Sequence, residues 1–207
     1  MKLYDISMTI NEQIQVWKNK DAKRPKFENT SNFESGKSYE TRLHLDAHTG
    51  THVDAPLHMI AGGAAMEAYA LEQFVGRAKV LDLTHVEASV GRADLEPHDI
   101  QHGDWILLKT RNSFEETYDF DFVFLREDGA AHLQKLGIRG VGIDSLGIER
   151  SQDDHATHRT LLGHGIAIAE GLRLKSVPSG SYFMVIAPLK LEGVEAAPAR
   201  AFLIEGI

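Results

Sequence analysis

Stretches with strand character are spread over the whole chain, and that distribution limits the architecture more than any other feature. They are Lys79-Val80-Leu81-Asp82-Leu83-Thr84, Trp105 to Thr110, Gly140 to Asp144, Tyr182 to Ala187 and Ala201 to Glu205. Two segments between them read as helices. Met66 to Phe74 is rich in Ala, Glu and Leu, and Glu127 to Leu136 ends at Gly137, a residue suited to a helix C-cap. The polar stretch Lys18 to Ser38 reads as loop. Strands outnumber helices, so the expectation is a mixed, sheet-dominated α/β fold whose strand order stays open. The 207 residues carry no internal repeat, and Gly and Pro are scattered instead of pooled in a linker. One domain over residues 1–207 is expected, large enough to bury a substantial core.

Composition removes whole classes of function. With 43% hydrophobic and 25% charged residues the chain is an ordinary globular one. A formal net charge of −8 argues against nucleic acid or an anionic membrane as partner, since both call for basic surface. No apolar run approaches the roughly 20 residues of a membrane span. The start, Met1-Lys2-Leu3-Tyr4-Asp5, has no apolar signal core, so a cytoplasmic protein is expected. The absence of Cys excludes disulfide scaffolds, thiolate zinc sites, Fe–S clusters and Cys nucleophiles. Metal chemistry here must use His with Asp or Glu.

The histidines are not evenly placed. Three of the 11 fall in the eleven residues from His48 to His58, within Asp46-Ala47-His48-Thr49-Gly50-Thr51-His52-Val53-Asp54-Ala55-Pro56-Leu57-His58. Gly50, two Thr, Val53 and Pro56 make a helix improbable there. In an extended strand, positions 48, 50, 52 and 54 share one face, so His48, His52 and Asp54 project together with Gly50 leaving space between the rings. Two imidazoles and a carboxylate suit Zn²⁺ or Mn²⁺. Pro56 breaks the strand and takes His58 out of that line, free to return over the metal.

A second constellation runs from His155 to Glu170. Ile166, Ile168 and Leu172 alternate with small residues as in a buried strand, and Glu170 follows that apolar run. An unpaired carboxylate there is costly, and a metal or a cation resolves the cost. His158 is the natural partner ligand. The competing arrangement is an ion pair of Glu170 with Arg159 or Arg173.

Together these segments resemble the bacterial kynurenine formamidase, or cyclase, family of metal-dependent hydrolases. Its signature, His-x-Gly-Thr-His-x-Asp-Ala-Pro-x-His, is matched at every fixed position by His48 to His58. The resemblance extends through His158 to Glu170 and through Pro188-Leu189-Lys190-Leu191 to Pro198-Ala199-Arg200-Ala201, covering essentially the whole chain. It implies a compact fold with a small β-barrel-like core and flanking helices, assembled as a homodimer or homotetramer. It also implies two divalent ions. His48, His52 and Asp54 match the ligands of one, His158 a ligand of the second, and Asp54 and Glu170 the bridging carboxylates. His58 matches the proton-transfer residue. The pocket departs from the family: Trp17 is followed by Lys18-Asn19-Lys20 where formamidases carry Trp-Pro-Gly-Asp, and Ser145-Leu146-Gly147-Ile148-Glu149 lacks a Pro-Ser-x-Asp pattern.

The resemblance implies hydrolysis of a C–N bond in a small aromatic amide, N-formylkynurenine first and a cyclic amide such as isatin second. Divalent ions lower the pKa of water toward neutrality, and His58 would protonate the departing nitrogen. Trp17 or Phe27 would stack on the substrate ring. Zn²⁺ stands ahead of Mn²⁺, because two His and one Asp form a familiar zinc set. Two rivals compete: a metal-binding protein without catalysis, and a Ser/His hydrolase, whose Gly-x-Ser-x-Gly motif is missing around Ser145 and Ser181. His85, His98, His102 and His132 are expected to be surface or core residues, and His164 a surface one or, alternatively, one that supports the metal ligands from behind.

Overall fold

The computed structural model describes residues 1–206. In chain order the strands are β1 (Lys2–Asp5), β2 (Lys26–Ser31), β3 (Glu40–His44), β4 (His52–Asp54), β5 (Val75–Asp82), β6 (Ser89–Val90), β7 (Trp105–Lys109), β8 (Phe124–Leu125), β9 (Gly140–Ile143), β10 (Ala167–Glu170), β11 (Gly180–Pro188) and β12 (Ala196–Glu205). The helices are α1 (Arg92–Leu95), α2 (Glu127–Leu136) and α3 (Ala156–Leu162). None is long and apolar enough to cross a membrane.

The main sheet runs β1-β12-β11-β5-β7-β9-β10-β4, and β4 pairs back onto β12. Seven strands therefore close into a small barrel, with β1 added outside the ring on β12. The resemblance implied such a core. Pairs β5–β7, β7–β9 and β9–β10 are parallel, and the remaining pairs are antiparallel. Parallel neighbours need a crossover, and α1, α2 and α3 lie in the three connections that make them.

Strand alternation sorts the core into two layers. Inside the barrel sit Val53, Ala78, Val80, Trp105, Leu107, Ala167, Ala169, Met184, Ala197 and Leu203. On the outer face, Ile106, Leu108, Val141, Ile143 and Ile168 pack against Leu133 of α2 and Leu161 and Leu162 of α3. A narrow barrel holding a Trp needs small neighbours. Gly140 and Gly142 of β9 supply them: a Cβ on Gly140 would collide with the Trp105 indole, and one on Gly142 would lie 2.6 Å from Leu172 and 2.9 Å from Leu107.

At the end of β9, Asp144 is fully enclosed and takes donors from Thr110 N (2.7 Å), Thr110 Oγ1 (2.7 Å), Ser113 N (3.1 Å), Ser113 Oγ (2.6 Å) and Asn112 Nδ2 (3.2 Å). That network fixes the point from which the loop 145–149 departs.

Two of the segment assignments read from the sequence differ in the structure. Met66 to Phe74 is two separate 3-10 turns, Met66–Ala68 and Leu71–Phe74, split by extended backbone. Tertiary anchors override the helix propensity of this short segment. Met66 N bonds to Val194 O and Tyr69 Oη to Asp54 O, while Met66 and Phe74 insert into the core. Within Lys18 to Ser38, β2 pairs with β3 as an antiparallel hairpin. Its residues are almost all exposed, so the period-2 burial pattern that marks a strand is absent from its sequence. By contrast α2 has the expected bounds, with Glu127 and Asp128 at its positive end and Gly137 at φ 67° closing it.

Gly140→Ala is expected to destabilise the fold by about 1–3 kcal/mol through overpacking against Trp105. A denaturant midpoint equal to that of the parent would show that the barrel interior has slack.

Candidate metal centre

Strand β4 is three residues long and lies between β10 and β12. Its register sets His52 opposite Glu170 of β10 and Asp54 opposite Ile168. His52 and Asp54 share one face by alternation, and Glu170 joins that face as the cross-strand partner of His52. His48 arrives differently from the expected continuous strand. Residues 48–51 turn, with Gly50 at φ 65°, a conformation that favours Gly. A Cβ there would also press on Ile14 at 3.2 Å and Ile10 at 3.3 Å. The turn folds the His48 ring to 4.9 Å from the His52 ring. It is tied down by Thr51, whose hydroxyl donates to Gly171 O (2.6 Å) and accepts from Met8 N (2.8 Å).

Pro56 opens a 3-10 turn, Pro56–His58, that swings His58 back over the cluster. Its ring lies 4.4 Å from that of His48 and 5.6 Å from that of His158. His158 comes from α3, which packs on the outer face of β10. All six clustered residues named from the sequence are thus brought together: His48, His52, Asp54, His58, His158 and Glu170.

Asp54 is at the middle. Its Oδ1 lies 3.2 Å from His48 Nδ1 and 3.6 Å from His52 Nε2, and its Oδ2 lies 3.8 Å from His158 Nε2. Glu170 spans the other side, with Oε2 3.3 Å from His52 Nε2 and Oε1 3.4 Å from His158 Nε2. Glu170 Oε1 also accepts from Ile148 N at 2.6 Å. Arg159 pairs with Asp154 instead of Glu170, so the alternative Arg159 ion pair is not formed.

Hydrogen-bond satisfaction tests whether a metal belongs here. Among the described residues, the buried side-chain polar atoms without a hydrogen-bond partner are Thr49 Oγ1, His52 Nε2, Asp54 Oδ1 and Asp54 Oδ2. Three of the four belong to one cluster. Buried polar groups are otherwise paired almost without exception, so the orphaned atoms fit a cation that they would jointly ligate. Donor atoms of His52, Asp54 and Glu170 lie within 4.8 Å of one another, as do those of His48, Asp54 and His58. Imidazole and carboxylate donors suit Zn²⁺ or Mn²⁺.

The charges agree. Burial opposes a charged ring at His52, but the adjoining Glu170 and the charge of Asp54 push it up to about 9. His158 rises to about 10 against the same burial cost, through Glu149, Glu170 and Asp54. Glu170 is held well below the usual carboxylate range by the two histidines, despite burial that would raise it. His58 moves the other way: burial and the neighbouring His48 and His158 lower it, with Asp54 only partly offsetting them.

A cavity of about 380 Å³ opens beside the cluster, lined by Trp17, Lys20, Lys23, His48, His58, Met59, Leu146, Gly147, Glu149, His155, His158 and Glu170. Trp17 packs edge-on against Tyr118 (5.5 Å) and Phe122 (5.9 Å). Gly147 permits this position, because a Cβ there would lie 2.7 Å from the indole. Lys18 (φ 54°) and Asn19 (φ 52°), between the lining residues Trp17 and Lys20, and Ser151 (52°), Asp154 (56°) and the lining residue His155 (51°) hold left-handed backbone without being Gly. Such strain collects at functional sites.

Other histidines take no part. His44 sits on the hairpin with Glu28, and His164 is exposed with Nδ1 on Thr160 O. His85, His98, His102 and His132 are outside the cavity and the ligand groups. Phe27 is exposed on the hairpin and is not among the residues lining the cavity. Sequence reasoning missed Glu149, 2.7 Å from His158 Nδ1, and Glu195, 3.3 Å from His48 Nε2. Glu149 is followed by Arg150-Ser151-Gln152-Asp153, a polar run that carries no sign of its burial.

Comparison with known proteins points the same way. Residues 4–150 match the model of the Cyclase family, described as "Putative cyclase". The kynurenine formamidase of Bacillus cereus is 33% identical over 202 residues, covering 96% of this chain and 95% of that protein. A solved structure described as a potential metal-dependent hydrolase with cyclase activity is 51% identical, with TM-score 0.91 over 98% of this chain and 96% of the other. Isatin hydrolase A from Labrenzia aggregata shares the fold, with TM-score 0.86 at 21% identity over 99% and 94% of the two chains.

Protons and metal must compete for His52 and His158. With values of about 9 and 10 both rings are protonated at neutral pH in metal-free protein, and ligation requires the neutral form. Zn²⁺ binding is therefore expected to release protons and to tighten as pH rises from 6 toward 9. Calorimetry in buffers of different ionisation enthalpy measures this, and binding without proton release would contradict the ligand assignment.

Proposed function

The chain belongs to the cyclase family, and from that premise we propose that it is a metal-dependent hydrolase of the C–N bond in small aromatic amides, formamidase-like in its chemistry. The observation that carries this reading is the orphaned carboxylate of Asp54, approached by His48, His52 and His158, beside a cavity that Trp17, His48, His58, His158 and Glu170 line. His48, His52, Asp54, His158 and Glu170 would hold two divalent ions, Zn²⁺ ahead of Mn²⁺. A cation held there would supply Lewis acidity toward the scissile carbonyl and lower the pKa of water toward neutrality.

The chain's own groups do the remainder. Burial keeps His58 neutral near pH 7, so its ring accepts a proton from the attacking water. The same ring then delivers that proton to the departing nitrogen, which otherwise would leave as an amide anion. Trp17 supplies a flat apolar face for an aryl ring and is itself braced by Tyr118 and Phe122. N-Formylkynurenine, an aryl formamide, fits this scheme and agrees with relatives named as kynurenine formamidases. The second reading, opening of a cyclic amide such as isatin, is favoured by the changed rim. Lys18-Asn19-Lys20 stands where formamidases carry Pro-Gly-Asp, and Lys20 lines the cavity.

We read residues 1–207 as one functional domain that self-associates as a dimer or tetramer. The hairpin supports this: Phe27 and Leu43 are cross-strand partners, and both are exposed together with Phe33 and Tyr39.

Chelation is expected to abolish hydrolysis and Zn²⁺ or Mn²⁺ to restore it; full activity in verified metal-free protein would end the proposal. His58→Ala should keep its metal and lose about 10²–10⁴-fold in kcat. Glu170→Ala should lose both metal and turnover, and parent-like behaviour of that variant would make Glu170 a structural residue. Assaying N-formylkynurenine beside isatin separates the two substrate readings.

A further inference from the structure

The three histidines around Asp54 differ in what holds the far side of each ring. His52 Nδ1 lies 2.8 Å from the carbonyl oxygen of Gly50. His48 Nε2 lies 3.3 Å from Glu195, whose side chain is 41% exposed. His158 Nδ1 lies 2.7 Å from Glu149 Oε1, and that side chain is only 3% exposed.

The carboxylate of Glu149 is fully engaged. Its Oε1 meets His158 Nδ1 and His155 Nδ1 (3.0 Å), and its Oε2 accepts from Thr157 N (2.9 Å) and Gln152 Nε2 (2.9 Å). Asp54 is the opposite case, buried with both oxygens unpartnered. Glu149, His155 and His158 do offer donor atoms within 4.8 Å of one another, but an additional ion there would have to break hydrogen bonds already made. A satisfied carboxylate on the outer nitrogen of a ligand imidazole instead fixes the ring's tautomer and strengthens its lone pair.

We propose that Glu149 is the positioning residue of this centre, holding His158 in the metal-loaded protein as the Nδ1–H tautomer with its Nε2 lone pair on the side of Asp54 and Glu170. The same carboxylate takes the amide of Thr157 in the first turn of α3, so it also registers the helix that carries His158. One side chain therefore sets both the position and the orientation of this ligand. The inference rests on the reading of the Asp54 cluster as a metal centre.

The experiment compares the parent with Glu149→Gln, which keeps the size and an oxygen acceptor but removes the charge. Zn²⁺ affinity is read by competition with a chromophoric chelator, Co²⁺ loading by visible absorption, and folding by the melting temperature of metal-free protein. Glu149→Gln is expected to weaken one of the two ions about 10- to 100-fold, leave the other near the parent value and alter the Co²⁺ spectrum. Its metal-free melting temperature is expected to fall as well, because Glu149 also pairs with protonated His158 in metal-free protein. Unchanged affinities for both ions would overturn the proposal, as would an equal weakening of both ions, the mark of a general structural loss. A measurement on the parent alone keeps the proposal open to failure should the variant not fold. In Zn²⁺-loaded protein, ¹⁵N NMR of the imidazole rings should show His158 protonated at Nδ1, and protonation at Nε2 would overturn the assignment. A parent that binds neither Zn²⁺ nor Co²⁺ would instead overturn the metal-centre reading, and this inference with it.

Discussion

Asp54 is fully buried, and neither of its carboxylate oxygens accepts a hydrogen bond. An isolated charge in that position costs several kcal/mol, and only a paired cation or ligated ion offsets it. Everything around the residue is arranged to deliver that compensation. His48 and His52 approach one oxygen and His158 the other, while Glu170 bridges His52 and His158 from the opposite side. In metal-free protein the protonated histidines fill this role, which is why burial fails to lower the pKa values of His52 and His158. Proton and metal are alternative solutions to one electrostatic problem.

The barrel makes that arrangement rigid. Strand β4 is only three residues long, yet it is paired on both edges, to β10 and to β12. Closing the ring through it leaves no edge on which the site-bearing strand could slip. A shift of one residue would turn His52 and Asp54 into the barrel interior, where Val53, Ala169 and Ala197 now pack. The apolar packing of α3 on Ile168 and Ile143 then fixes the height at which His158 meets Glu170. Packing chooses the register, and the register assembles the cluster around Asp54.

Legibility in the sequence follows the same physics. The five strand segments and α2 are readable because each buries apolar side chains, as an alternation or, in β7 and β9, as a continuous run, and because Gly137 caps α2. The hairpin β2–β3 is not, since neither face is buried in the single chain. His48 to His58 stands out because candidate ligands close in sequence leave a dense motif. His158 and Glu170 lie more than a hundred residues on, and their partnership with His48 comes from the burial cost of Glu170 and the family pattern. Glu149 leaves no trace: its role depends on two loop conformations, at 145–149 and 151–155, that no local periodicity encodes. The path of His48 departs from a continuous strand for a related reason, because the left-handed Gly50 that bends it back depends on packing by Ile10 and Ile14.

The central claim is that the buried carboxylate of Asp54 is a metal ligand shared between two ions. Anomalous diffraction at the zinc edge from crystals of the Zn²⁺-loaded protein tests it most directly. The account predicts two peaks flanking Asp54, one on the side of His48 and His52 and the other on the side of His158, with Glu170 touching both. Peaks elsewhere on the surface, with the Asp54 cluster empty at saturating Zn²⁺, would contradict it.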